Sequence, residues 1–211
     1  MYNFNRLIRT ILETRRSDNE TVRGLNIFLS QINKTFPDIP SDMLLDVKDF
    51  IDASRCPEIV FEPLHGGALG ISLSDKCVIS TSALGRTLYH ALYVVFHEVA
   101  HQYQYSKHGE KFVQDLYNDQ MSIEDAAELL IKVELTADRY AINKVKQLYA
   151  KYMPNTRIIL HSLYKNAGKQ FIATHLQQVR DMAKSSGLTD IEDINQMIYN
   201  TVKADLVDTT K

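Results

Sequence analysis

The chain has 211 residues, of which 45% are hydrophobic and 24% charged, the proportions of a folded globular protein rather than a disordered one. A formal net charge of -2 and a pI near 6.4 give no whole-chain electrostatic case for nucleic acid or an anionic membrane. Cys56 and Cys77 are far apart with no C-x-x-C spacing, which argues against a disulfide framework or a thiolate metal site and points to a reducing cytoplasm.

At the start of the chain Arg6, Arg9, Arg15 and Arg16 alternate with Leu7, Ile8, Ile11 and Leu12. That pattern predicts an amphipathic helix and lacks the continuous apolar stretch of a signal peptide. Leu25, Phe28, Leu29 and Ile32 recur at helical spacing, Phe36-Pro37-Asp38-Ile39-Pro40 breaks the pattern, and Ser41 or Asp42 restarts it. Three helices are expected over residues 1–54, closed by Arg55-Cys56-Pro57, since the residue before a proline is pushed away from helical geometry.

The period then changes. Ile59-Val60-Phe61 is a short apolar run, Leu69, Ile71 and Leu73 alternate with Gly70 and Ser72, and Cys77-Val78-Ile79 follows the turn-forming Ser74-Asp75-Lys76. Three strands are expected, the last two a hairpin. Helical periodicity resumes near Thr87 and is expected to end at Gly109, placed as a left-handed residue after a helix C-terminus, with a short separate helix over residues 110–118. Ser122-Ile123-Glu124-Asp125 reads as the capped start of a long helix running to about Tyr152, ended by Pro154. Beyond it, helical runs alternate with breaks at Gly168 and Ser185-Ser186-Gly187. The most apolar run, residues 88–96, is far short of the roughly 20 residues that cross a bilayer, so no membrane association is expected.

The expected fold is therefore α+β: mainly helical, with a small three-stranded sheet beside the helix that starts near Thr87. Residues 1–55 form a helical segment, 56–153 a core and 154–211 a helical extension, together one compact unit.

His97-Glu98-Val99-Ala100-His101 is an H-E-x-x-H sequence on that helix. It puts two imidazoles one turn apart on one face, their Cβ atoms roughly 6 Å apart, so both can reach one ion. Zinc suits this arrangement, because catalytic zinc takes three protein ligands, commonly imidazole nitrogens at about 2.0–2.1 Å, and keeps one position for water. Glu98 projects about 100° round the helix from His97, where it can face that water as a general base. Leu88, Leu92, Val95 and Val99 make an apolar stripe, so this is a core helix.

On the next long helix, Glu134 and Asp138 fall inside an apolar stripe of Ala127, Leu130, Ile131, Ala137, Ala141, Ile142, Val145 and Leu148. Buried carboxylates need a compensating cation or several hydrogen bonds. A zinc ion held with two histidines supplies that charge; an ion pair with Arg86, Arg139 or Lys132 is the structural alternative.

His97-Glu98-x-x-His101 followed by Glu134-x-x-Ala137-Asp138-x-Tyr140-Ala141 resembles the gluzincin zinc metallopeptidases, especially the minigluzincin and ImmA/IrrE-like group, over about residues 59–148. The resemblance implies that a small sheet precedes the helix, that Glu134 is the third zinc ligand, and that Asp138 buttresses a ligand histidine and fixes its tautomer. It implies peptide-bond hydrolysis of a protein or peptide substrate by a metal-activated water, with Glu98 as general base and no covalent enzyme intermediate. An extended substrate would lie against an edge strand, in residues 69–73 or 77–79.

Two other readings stand beside this one. His108-Gly109-Glu110-Lys111-Phe112 resembles the segment that supplies a third histidine ligand in SprT-like, DNA-associated proteases. That makes His108 the alternative metal ligand; otherwise it is a surface histidine or one near a helix C-terminus, where the helix dipole favours it. The chain could also be a catalytically silent binding module on a metallopeptidase-like fold, although such a module would not need Glu98. His65, His90, His161 and His175 read as surface or packing residues, and Tyr103, Tyr105, Tyr140 and Tyr164 are candidate oxyanion donors. Nothing in the sequence specifies an oligomeric state.

Overall fold

The computed structural model describes residues 22–54, 56, 58–64, 68–73, 76–116 and 123–156. The expected helices within 1–21 and beyond 156, and with them most of the 154–211 extension, lie outside the described residues.

A two-residue strand, β1 (Val22–Arg23), leads through Gly24 into helix α1 (Leu25–Thr35). Gly24 has φ 88°, a left-handed value that glycine adopts without a Cβ penalty, and its N–H donates to the carbonyl of Ile59 at 3.0 Å. Helix α2 (Ser41–Ala53) restarts after Pro40, as the sequence predicts, and buries Met43, Val47 and Ile51 at one-turn intervals. Strands β2 (Ile59–Glu62), β3 (Gly70–Ser72) and β4 (Cys77–Ser80) follow. A single turn, α3 (Thr81–Leu84), capped by the Ser80 hydroxyl, then precedes two long helices, α4 (Leu88–Leu116) and α5 (Ile123–Tyr152).

The fold is α+β and mainly helical, with a small mixed sheet in the order β1-β2-β4-β3. The β3–β4 hairpin is present, antiparallel with Ile71 opposite Val78. β2 and β4 pair in parallel, and each is buried along its whole length, as expected of central strands covered on both faces. β1 pairs antiparallel with β2 and adds a fourth strand that the periodicity did not signal.

Helix α4 packs against β3 and β4 on one side and α5 on the other. Leu92, Val95 and Val99 of its predicted stripe are fully buried, as are Ala137 and Ala141 on α5. Phe28 stacks on Phe61 with ring centroids 5.2 Å apart, tying α1 to the sheet, and Phe50 meets Phe96 edge-on at 6.0 Å, tying α2 to α4.

One expectation is corrected. α4 does not stop at Gly109 but runs unbroken to Leu116, merging the two expected helices into one. A glycine inside a helix costs only about 1 kcal/mol relative to alanine, which the flanking helix formers Glu110 and Lys111 absorb. His108 is therefore an interior position, and its placement by a helix C-terminus is withdrawn.

Candidate metal centre

His97 and His101 project from the middle of α4, and Glu134 comes from the facing turn of α5. Their ligand atoms all lie within 4.8 Å of one another. The two Nε2 atoms are 3.1 Å apart, Glu134 Oε2 is 3.2 Å from His97 Nε2, and Glu134 Oε1 is 3.6 Å from His101 Nε2.

The outer nitrogen of each imidazole is already engaged. His97 Nδ1 is 2.9 Å from Asp138 Oδ1. A carboxylate only accepts, so Nδ1 carries the proton and Nε2 presents its lone pair to the cluster. His101 Nδ1 is 2.9 Å from Gln104 Oε1. The orientation of that amide is set by Gln104 Nε2, which donates to the carbonyl of Val133 on α5 at 3.0 Å. Tyr93, one turn before His97, donates its hydroxyl to the same Asp138 oxygen. Each imidazole is thus fixed by a bond on its far side that reaches, directly or through Gln104, to α5.

Two lone pairs and a carboxylate cannot face one another at these distances without positive charge between them. Ligands held 2.0–2.1 Å from a tetrahedral ion are separated by about 3.3–3.4 Å, close to the distances here, so the donor set fits zinc in number, kind and spacing. Protons meet the same need without a metal. Burial pulls the His97 pKa down, but hydrogen bonds to Asp138 and Glu134 and the charge of Glu98 leave it well above the ordinary value. His101 is raised in the same way against the opposing effect of burial, chiefly through Glu134. Burial pushes Glu134 up, yet its bonds to His101 and His97 hold it well below the usual carboxylate range.

Glu98 is buried, and burial raises its pKa, with His97 and His101 partly offsetting the effect. Its carboxylate lies across β3, where a Cβ built on Gly70 would come within 2.5 Å of Glu98 Oε1. A buried carboxyl with a raised pKa beside two imidazoles is suited to taking up a proton and returning it. Gln102, also buried on α4, donates to Ser72 Oγ at 2.7 Å and to the carbonyl of Leu73, anchoring the β3–β4 turn to the helix.

The structure thus brings Glu98, His97, His101, Glu134 and Asp138 together. The His108 side chain lies outside the described residues, as do His65, His161, His175 and Tyr164. His90 stands apart from the donor set, 3.1 Å from Arg86. Of the tyrosines weighed, Tyr103 is exposed and Tyr140 donates to the carbonyl of Phe50 at 3.5 Å. Tyr93, which the sequence pattern did not single out, reaches the site through Asp138. Its signal was the four-residue spacing Tyr93, His97, His101, a single face of one helix. Gln104 was missed as well, although an amide three residues past His101 on a buried helix needs a partner.

No family model, no curated protein and no solved structure matches this chain. Among the described residues, no helix is long and apolar enough to cross a membrane.

Proposed function

We propose that this chain is a zinc-dependent metallopeptidase that hydrolyses peptide bonds in a protein or peptide substrate in the cytoplasm. The observation that carries the reading is the convergence of His97 Nε2, His101 Nε2 and the Glu134 carboxylate, with both Nδ1 atoms committed elsewhere. His97, His101 and Glu134 would hold the ion. When bound, zinc supplies Lewis acidity, which polarises a carbonyl oxygen and lowers the pKa of water to about 7.

The other steps belong to the protein. Glu98 accepts the proton of the attacking water on its carboxylate and passes it to the departing amine nitrogen. Its raised pKa suits a group that must hold the proton between those two events. Asp138, steadied by Tyr93, keeps His97 in the tautomer that points Nε2 inward, and Gln104 does the same for His101. Among the described residues β3 pairs with β4 alone and is the edge strand beside α4, so an extended substrate pairing with Gly70–Ser72 would run past Glu98. The other candidate, β4, is central and has no free edge.

The test is a pair of proteins, wild type and Glu98→Gln. Both should bind zinc and melt alike, while the wild type alone cleaves a peptide library and loses that activity to a chelator. Equal cleavage by the two would remove Glu98 from the mechanism. Zinc binding with no cleavage by either, and rescue of the same cellular function by both, would make the chain a binding module.

A further inference from the structure

Away from the metal cluster, the fold brings together the only two cysteines of the chain. Their sulfurs are 3.4 Å apart although the residues are 21 positions apart in sequence. The backbone imposes this contact. Cys77 opens β4 in parallel register with Ile59, its N–H donates to the carbonyl of Glu58 at 2.8 Å, and Cys56 lies just ahead of β2. A disulfide needs sulfurs at about 2.05 Å, so the bond forms when the two sulfurs close in from 3.4 Å. The sequence separation gave no sign of this contact; parallel pairing of β2 and β4 makes the two cysteines neighbours. The two thiols differ in access, since Cys77 is fully buried and Cys56 is half-buried.

We propose that Cys56 and Cys77 form a reversible intramolecular disulfide by exchange with a low-molecular-weight disulfide of the glutathione type, Cys56 attacking and Cys77 resolving. The Cys56 thiolate, its proton released to solvent, attacks one sulfur of the small disulfide. That S–S bond breaks, and the first small thiolate departs and is protonated. Cys77 then gives up its proton and attacks Cys56 Sγ, expelling the second small thiolate, which takes a proton in turn. Two protein thiols are oxidised by two electrons and one small disulfide is reduced to two thiols. The difference in access agrees with this order, since a small disulfide in solvent can meet half-buried Cys56 before fully buried Cys77. The contact with Cys56, and then burial, push the Cys77 thiol well up. The assignment is independent of the metallopeptidase reading.

The test uses the full, reduced chain under native conditions with oxidised glutathione as the probe, followed by acid quench and intact mass. Wild type should become lighter by two hydrogen atoms with no lasting adduct, and dithiothreitol should restore it. Cys77→Ser should stop with one glutathione on Cys56, and Cys56→Ser should stay unmodified. Cys77→Ala provides a second variant should serine at a buried site disturb the fold, and peptide mapping of wild type locates the bond without any variant. Retention of both thiols, a stable glutathione adduct on wild type, or modification of Cys56→Ser as fast as wild type would each overturn the proposal.

Discussion

Gly70 on the edge strand and Glu98 on the long helix share one contact surface: a methyl group on the glycine would sit 2.5 Å from Glu98 Oε1 and 2.6 Å from its Cγ. The obstructing atoms are side chain rather than backbone and include Cγ, so Gly70→Ala must turn the whole buried Glu98 side chain, a change to which His97, His101 and Glu134 contribute no atom; the variant should fold and keep its metal. The displaced carboxylate should lower turnover about 100-fold, the scale of loss that a shift of roughly 1 Å produces. Zinc content and peptide cleavage measured on the same preparation check this. Unchanged turnover would mean that the position of Glu98 does not matter to the reaction.

The metal itself gives the second prediction. Purified protein should carry one zinc per chain, and His97→Ala combined with His101→Ala should carry none in elemental analysis. Glu134→Ala should lose affinity strongly, since it removes the one donor contributed by α5. His108→Ala should keep its zinc; the reverse order in a zinc titration would move the third ligand to His108.

Asp138 and Tyr93 should behave as one unit. Asp138→Asn should weaken zinc binding by roughly 10- to 100-fold, the usual cost of losing the partner of a ligand imidazole. Tyr93→Phe should cost less, because Asp138 keeps its bond to His97. The double variant should lose less than the sum of the two, as expected of residues in one hydrogen-bond network. Additive losses in a zinc titration would show that Tyr93 acts elsewhere.

Gln102 offers a prediction about stability rather than chemistry. Gln102→Ala should destabilise the fold by about 1–3 kcal/mol, because it strands acceptors in the β3–β4 turn. Urea unfolding checks the size, and near-wild-type stability would show that water replaces the amide.

The donors were legible because helical geometry is local: the four-residue spacing from His97 to His101 fixes one face, and Glu134 betrayed itself as a carboxylate in an apolar stripe. That same locality misled at Gly109, where a residue suited to ending a helix was outweighed by its neighbours. β1 was invisible because two residues have no period. The meeting of Cys56 with Cys77, and of Gly70 with Glu98, depends on which strands lie side by side, and no sequence spacing encodes that.

The donors belong to two helices, so an ion seated among them is a cross-link between α4 and α5. A ligand that binds the folded chain and not the unfolded one adds RT ln(1 + [L]/Kd) to folding, about 4.1 kcal/mol at a thousandfold excess over Kd. Cellular zinc supply would then govern how often this helix pair opens, and so its exposure to proteases and the slow exchange of its amide hydrogens. The lifetime of the protein would track the metal even in a variant that cleaves nothing.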